Sequence, residues 1–114
     1  MHIDSYQFGR IVIDGERYTK DLIILGDSVR GDWRRQQGHL LSADDVQPVI
    51  DAAPSVLVVG CGAYGMMKIA EEALQLLQGH DIRLEASDTF RAVQTFNELS
   101  RQGVNVAAAL HLTC

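Results

Sequence analysis

The chain has 114 residues, 46% of them apolar and 22% charged, a composition that fits one globular domain and leaves no room for a second. Its net charge of −5 argues against a general affinity for nucleic acid or anionic membrane, both of which depend on clustered Lys and Arg. The two cysteines, Cys61 and Cys114, form no disulfide framework, and no apolar run approaches the roughly 18 residues of a membrane span, so a soluble cytoplasmic protein is expected.

In the first quarter, "GRIVIDGERYTKDLIIL" alternates apolar and polar residues around Asp14-Gly15, the dipeptide that most readily supplies the positive φ angles of a tight turn. An N-terminal β-hairpin is predicted, extending or capping a larger sheet. "DLIIL" and "SVRGDWRR" read as strands broken at Gly26-Asp27 and Gly31-Asp32, and "QQGHLL" as an irregular connection. In "SADDVQPVIDAA", Ser42 can cap a short helix whose positive end Asp44 and Asp45 complement, although Pro48 implies a break or a late start.

Strands and helices then alternate. "SVLVVG" is a wholly apolar strand. "AYGMMKIAEEALQLLQG" carries Met66, Ile69, Ala70, Ala73, Leu74 and Leu77 at helical spacing and ends at Gly79. "DIRLEA" is a strand, "SDTFRAVQTFNELSRQG" a helix capped near Ser87 and stopped by Gly103, and "VNVAAALHL" the last strand. Helical crossovers of this length join parallel strands, so a mixed, mostly parallel sheet flanked by helices is predicted. Ala107, Ala108 and Ala109 let helices sit close on both faces of the last strand, which suits a central position.

The stretch "VLVVGCGAYGMM" spaces Gly60, Gly62 and Gly65 as G-x-G-x-x-G after a strand, with Glu85 near the place of a ribose-binding acid. The chain is too short for two mononucleotide-binding halves. The glycines are read as a tight turn with close helix packing, and a mononucleotide at this turn is the competing reading. Cys61 has no neighbouring His or Asp to activate it and reads as buried packing. His39, His111 and Cys114 have the chemistry of metal ligands, yet structural zinc takes four ligands in short pairs, and no metal is expected. Trp33, Arg34, Arg35 and His39 fall in a loop. Trp and Arg combine large contact area with directional hydrogen bonds, and the paired arginines form a local positive site suited to an acidic partner. Asp27 and Asp32 could instead balance them.

"YQFGRIVIDGERYTKDLIIL", "WRRQQGH", "LVVGCGAYG" and "AALHLTC" together resemble the domain of unknown function 498, or Mth-like, family, which includes the adipogenesis-associated domain protein and a mitochondrial complex I assembly factor. Its marks in this chain are Phe8-Gly9, Trp33 with His39, Gly60-x-Gly62, Phe96-Asn97 and His111-x-Thr113-Cys114. The resemblance implies one three-layer α/β domain over 1–114 and no established enzyme activity. Gly65 and Cys61 depart from the family pattern, which takes weight from the dinucleotide and thiol readings. The mitochondrial relative carries a presequence this chain lacks, so its assembly role does not transfer intact. The expected function is therefore a non-enzymatic protein-interaction or complex-assembly module without a cofactor or catalytic residue, with a protein partner and with homo-oligomerisation allowed. The alternative is a small-molecule or mononucleotide-binding protein, or an enzyme, with its site at Gly60–Gly65.

Overall fold

Alternating apolar residues set the first layer of the computed structural model, which describes residues 1–114. Strands β1 (Ile3–Gln7), β2 (Arg10–Ile13) and β3 (Glu16–Tyr18) form an antiparallel three-stranded sheet that buries Ile3, Ile11 and Ile13. Asp14 and Gly15 take φ values of 48° and 81°, both positive as a type I′ turn requires.

Next come β4 (Leu22–Leu25), β5 (Ser28–Arg30) and the short β6 (Leu40–Leu41), followed by a 3-10 turn at Asp44–Val46 and helix α1 (Gln47–Ala52). Ser42 and Asp45 bond reciprocally at this helix entry, Ser42 N to Asp45 Oδ2 at 2.8 Å and Asp45 N to Ser42 Oγ at 3.3 Å. Pro48 falls in the first turn of α1, where its missing N–H costs nothing, so it starts the helix without breaking it.

The remaining elements are β7 (Val56–Cys61), β8 (Lys68–Ile69), α2 (Glu71–Gly79), β9 (Arg83–Ser87), α3 (Thr89–Arg101) and β10 (Val106–His111). Strands β7 and β10 are buried at every position and pair in parallel from Val56↔Val106 to Cys61↔His111. They form the middle of a five-stranded mixed sheet of order β5-β4-β10-β7-β9, with β10 central and β4 antiparallel to it. Odd and even positions separate the two faces. Leu57, Val59, Ala107 and Ala109 pack with Val49, Ala73 and Leu77 of α1 and α2. Val58, Ala108 and Leu110 pack with Ala92 and Phe96 of α3 and with the isoleucines of the small sheet. The N-terminal strands therefore cap one face as a separate sheet beside α3.

Two boundaries differ from expectation. The helix predicted from Ala63 starts only at Glu71, because Gly62 and Gly65 take φ values of 100° and 66°, outside the helical region. The chain instead turns and pairs β8 in parallel with β6, so Met66 and Ile69 do not lie on a helix. The cap of α3 is Asp88, one residue past Ser87, and its carboxylate accepts the Arg91 N–H at 3.0 Å.

Because Ala108 is fully buried against Ala92 and Phe96, a larger side chain has no space there. Ala108→Leu is expected to destabilise the fold by about 1–3 kcal/mol in urea unfolding, with Ala92 on α3 the contact that must give way.

Candidate functional site

The three glycines meet different surroundings at the carboxyl edge of the parallel strands. A Cβ on Gly60 would lie 2.8 Å from Thr89 Oγ1, and one on Gly62 would lie 2.6 Å from the Thr113 carbonyl oxygen and 2.8 Å from His111 Cδ2. Gly65 has open space around it and supplies only its positive φ of 66°. Four of the turn's N–H groups are bonded within the protein. Gly62 donates to Thr89 Oγ1 at 2.9 Å, Ala63 to the Thr113 carbonyl at 2.8 Å, Gly65 to the Gly62 carbonyl at 3.1 Å and Met67 to the Cys61 carbonyl at 3.0 Å. These are the donors a phosphate would need, and no helix opens at the turn to replace them. Glu85 stands in mid-strand opposite Val58, two residues before β9 ends.

Cys61, buried between these glycines, has its thiol pushed up by burial; Lys68 opposes that shift and Asp88 adds to it. A thiol so placed is a poor nucleophile. No three His, Cys, Asp or Glu side chains stand close enough together to hold a metal ion. His39 and His111 do meet, their rings 5.7 Å apart edge to face.

The 31–39 loop is fastened from below. Asp21, just before β4, accepts the Leu112 N–H on Oδ1 at 2.8 Å, while its Oδ2 lies 2.8 Å from His111 Nδ1 and 2.9 Å from Arg35 Nη2. Arg35 also donates to the Gly38 carbonyl, at 2.7 Å from Nη2, and its guanidinium stacks 4.9 Å from the Trp33 ring. The side chains of Arg35 and His111 are only 5% and 7% exposed, and Arg35 Nη1 and His111 Nε2 are buried without a partner. Burial alone would raise the Asp21 carboxyl, but hydrogen bonds from His111, the Leu112 N–H and Arg35 outweigh it and hold it below the ordinary value.

The four loop residues singled out in the sequence thus divide by environment. Arg35 is an internal cation and Trp33 is half-buried against the core, whereas Arg34 is exposed beside Asp32 at 3.4 Å and His39 is exposed. A surface cavity of about 390 Å³ opens between Lys20, Trp33 and Arg34.

A second group of residues at this edge carries no chemical motif. Phe8, Tyr64, Met66 and Phe90 are the large apolar side chains the fold leaves exposed, Tyr64 to 73%. They come from the β1–β2 turn, the glycine turn and the start of α3. The Phe8 and Tyr64 rings lie 6.2 Å apart, and Phe90 meets Tyr6 edge to face at 4.7 Å. The tail at 112–114 lies among these segments. Its Leu112 carbonyl accepts the Tyr6 hydroxyl at 2.6 Å and the Gly9 N–H at 2.8 Å. Burial, opposed by the nearby Thr89 hydroxyl and aided by the charges of Asp21 and Asp88, pushes the Tyr6 phenol up. Sequence reasoning missed this face because its members are far apart in the chain, and Met66 fitted a helical stripe.

The chain matches a family described as "Protein of unknown function (DUF498/DUF598)" over residues 3–111. None of the curated proteins matches it. Among solved structures, a conserved hypothetical protein from Pyrococcus horikoshii superposes with a TM-score of 0.84 at 24% identity, covering 100% of both chains. A Bartonella henselae protein described as an outer membrane protein superposes with a TM-score of 0.84 at 25% identity, over 98% of this chain and 94% of that one. A Bordetella pertussis protein described as a Mth938-like domain gives 0.76 at 22% identity, over 97% and 85%. No helix of the present fold is long and apolar enough to cross a membrane.

Gly62→Ala combines a left-handed φ with a backbone clash and is expected to cost about 1–3 kcal/mol more than Gly65→Ala, which meets only the left-handed penalty. Urea unfolding of the two variants measures the difference. Arg35→Ala strips Asp21 and the Gly38 carbonyl of their cation and is expected to cost about 3–5 kcal/mol, against less than roughly 0.5 kcal/mol for Arg34→Ala. Because the folded Asp21 carboxyl is held below its ordinary 3.8, its contribution is full above that value and is lost as pH falls through the lower folded value. The stability gap between the wild type and Asp21→Asn should therefore be widest near neutrality and close on acidification below about pH 4.

Proposed function

This chain belongs to the DUF498/DUF598 family of proteins of unknown function, and we propose that it is a non-enzymatic protein-interaction module that binds through the aromatic face at the carboxyl edge of its sheet. One observation carries the reading: the exposed large apolar side chains of the whole molecule, Phe8, Tyr64, Met66 and Phe90, come from three separate segments of this edge. Leaving such side chains in water is unfavourable, and aromatic residues and Met are the types enriched where proteins meet. The 31–39 loop adjoins the face, since His39 accepts the Lys68 N–H on its carbonyl at 2.8 Å, and Arg34 and His39 serve as its polar rim. Trp33 and Arg35 hold that loop in place.

The internally bonded N–H groups at Gly60–Gly65 weigh against the mononucleotide alternative, and the internal pairing of Asp21, Arg35 and His111 weighs against a catalytic use of these groups. A complex-assembly role fits a rigid scaffold of this kind. We place the protein in the cytoplasm, a reading supported by its two unpaired cysteines.

The test is affinity purification from native cells with the wild type and with Tyr64→Ser combined with Phe90→Ser. Both positions are exposed, so the melting temperature should move by no more than roughly 2 °C, while the co-purifying proteins disappear. Full retention of those proteins by the folded double variant would remove the face from consideration.

A further inference from the structure

Charge is distributed unevenly between the two ends of the sheet. The amino edge of the parallel strands carries Asp14 in the β2–β3 turn, Asp27 in the β4–β5 turn, Asp51 in the last turn of α1 and Asp81 before β9, none of them in an ion pair. Asp14, Glu16 and Asp27 line one cavity there.

At the carboxyl edge each exposed aromatic segment is followed by a cation. Arg10 ends the turn that carries Phe8, Lys68 follows Met66 by two residues, and Arg91 follows Phe90. Arg10 and Lys68 enter no ion pair; Arg10 bonds to the Gln7 side chain instead. Arg91 reaches Asp88 only at 3.7 Å and is 80% exposed. In a molecule of net charge −5, three cations thus stand within four residues of the exposed rings, and the acidic groups of the same edge are Asp88, paired with Arg91, and Glu71 and Glu72 at the start of α2.

On this basis, and resting on the protein-interaction reading above, we propose that the partner is a protein segment rich in Asp and Glu that presents a large apolar side chain. The apolar side chain packs on the rings of Phe8, Tyr64 and Phe90, and the flanking carboxylates meet Arg10, Lys68 and Arg91. Ring contact supplies the desolvated centre of the interface, and the three cations steer the approach. A second copy docked face to face would set like-charged segments against one another, and a head-to-tail contact with the acidic pole would build a ring or an open filament. So few cations on an acidic chain neutralise too few phosphates to hold a nucleic-acid strand.

The test is selection of a random nine-residue peptide library on the full chain. Expected is enrichment of net-negative sequences that contain Phe, Trp, Leu or Ile. Their affinity should fall at least tenfold in Arg10→Glu combined with Lys68→Glu, and by roughly fivefold in the wild type between 50 and 300 mM salt. The salt dependence keeps the test decisive should the charge-reversed variant fail to fold. Enriched peptides that are neutral or basic but lost in Tyr64→Ser with Phe90→Ser would overturn the acidic chemistry and leave the interaction face standing. Absence of any peptide that depends on Tyr64 and Phe90 would overturn both. Tighter binding of a twelve-residue oligothymidylate than of the selected peptides, or a dimer in light scattering that the Tyr64→Ser, Phe90→Ser variant disperses, would replace the proposed partner by a nucleic acid or a second copy.

Discussion

The Thr89 hydroxyl joins the ends of three elements. It accepts the Gly62 N–H at 2.9 Å and donates to the His111 carbonyl at 2.6 Å, while the Thr89 N–H bonds the Gly62 carbonyl at 3.0 Å. The exit of β7, the start of α3 and the end of β10 are thereby held within one side chain's reach. Burying a hydroxyl is tolerable only with its hydrogen bonds made, and Thr89, fully buried, makes one in each sense. The space Gly60 leaves empty is the space Thr89 occupies, because a Cβ there would lie 2.8 Å from Oγ1. The absence of a side chain at Gly62 lets the Thr113 carbonyl approach, so the tail lies across the edge and Tyr6, Phe8 and Tyr64 are gathered around it. The aromatic face is a consequence of this junction.

On the other side of the tail the same edge is closed by charge. Asp21 holds the Leu112 N–H with one oxygen and Arg35 and His111 with the other, tying the 31–39 loop to the central strand. A buried ion pair of this kind adds little net stability over an apolar replacement, and its value lies in specifying one loop position. The cost is visible in Arg35 Nη1 and His111 Nε2, which stay buried without partners. An arginine spent in this way cannot also present its charge to a partner. The positive charge of the edge that no carboxylate balances therefore includes Arg10 and Lys68, while Arg34 stands beside Asp32.

Much of the fold was legible from residue pattern. The apolar runs at 56–61 and 106–111, the Asp14-Gly15 turn and the three consecutive alanines led to a mixed sheet with the last strand at its centre, as the pairing of β10 with β4 and β7 bears out. The resemblance carried by Trp33 with His39, Gly60-x-Gly62 and the closing His111-x-Thr113-Cys114 led to the family. Local pattern failed at 63–70, where apolar residues at helical spacing compete with two glycines in left-handed conformation and with an edge that β8 can pair. The site was less legible, since burial of Arg35 depends on Asp21 and His111, 14 positions before it and 76 after it in the numbering. Adjacent arginines look alike in sequence, and alternation of direction along the loop turns one inward and the other to solvent.

The glycine spacing at 60–65 shows how a nucleotide fingerprint can arise without a nucleotide. In the dinucleotide fold the first glycine makes the turn, the second admits the phosphate and the third brings helix against strand. Here the first admits a threonine, the second admits the chain's own tail and the third makes a turn that leads into a strand. The close approach of backbone that glycine permits is used in both cases, but in this protein the visitor is a carbonyl of the same chain. An anion would need the N–H groups of Gly62 and Ala63, and these already hold Thr89 and Thr113. To bind there, a phosphate would have to displace the bonds that keep the edge of the sheet closed, and with them the support of the aromatic face above.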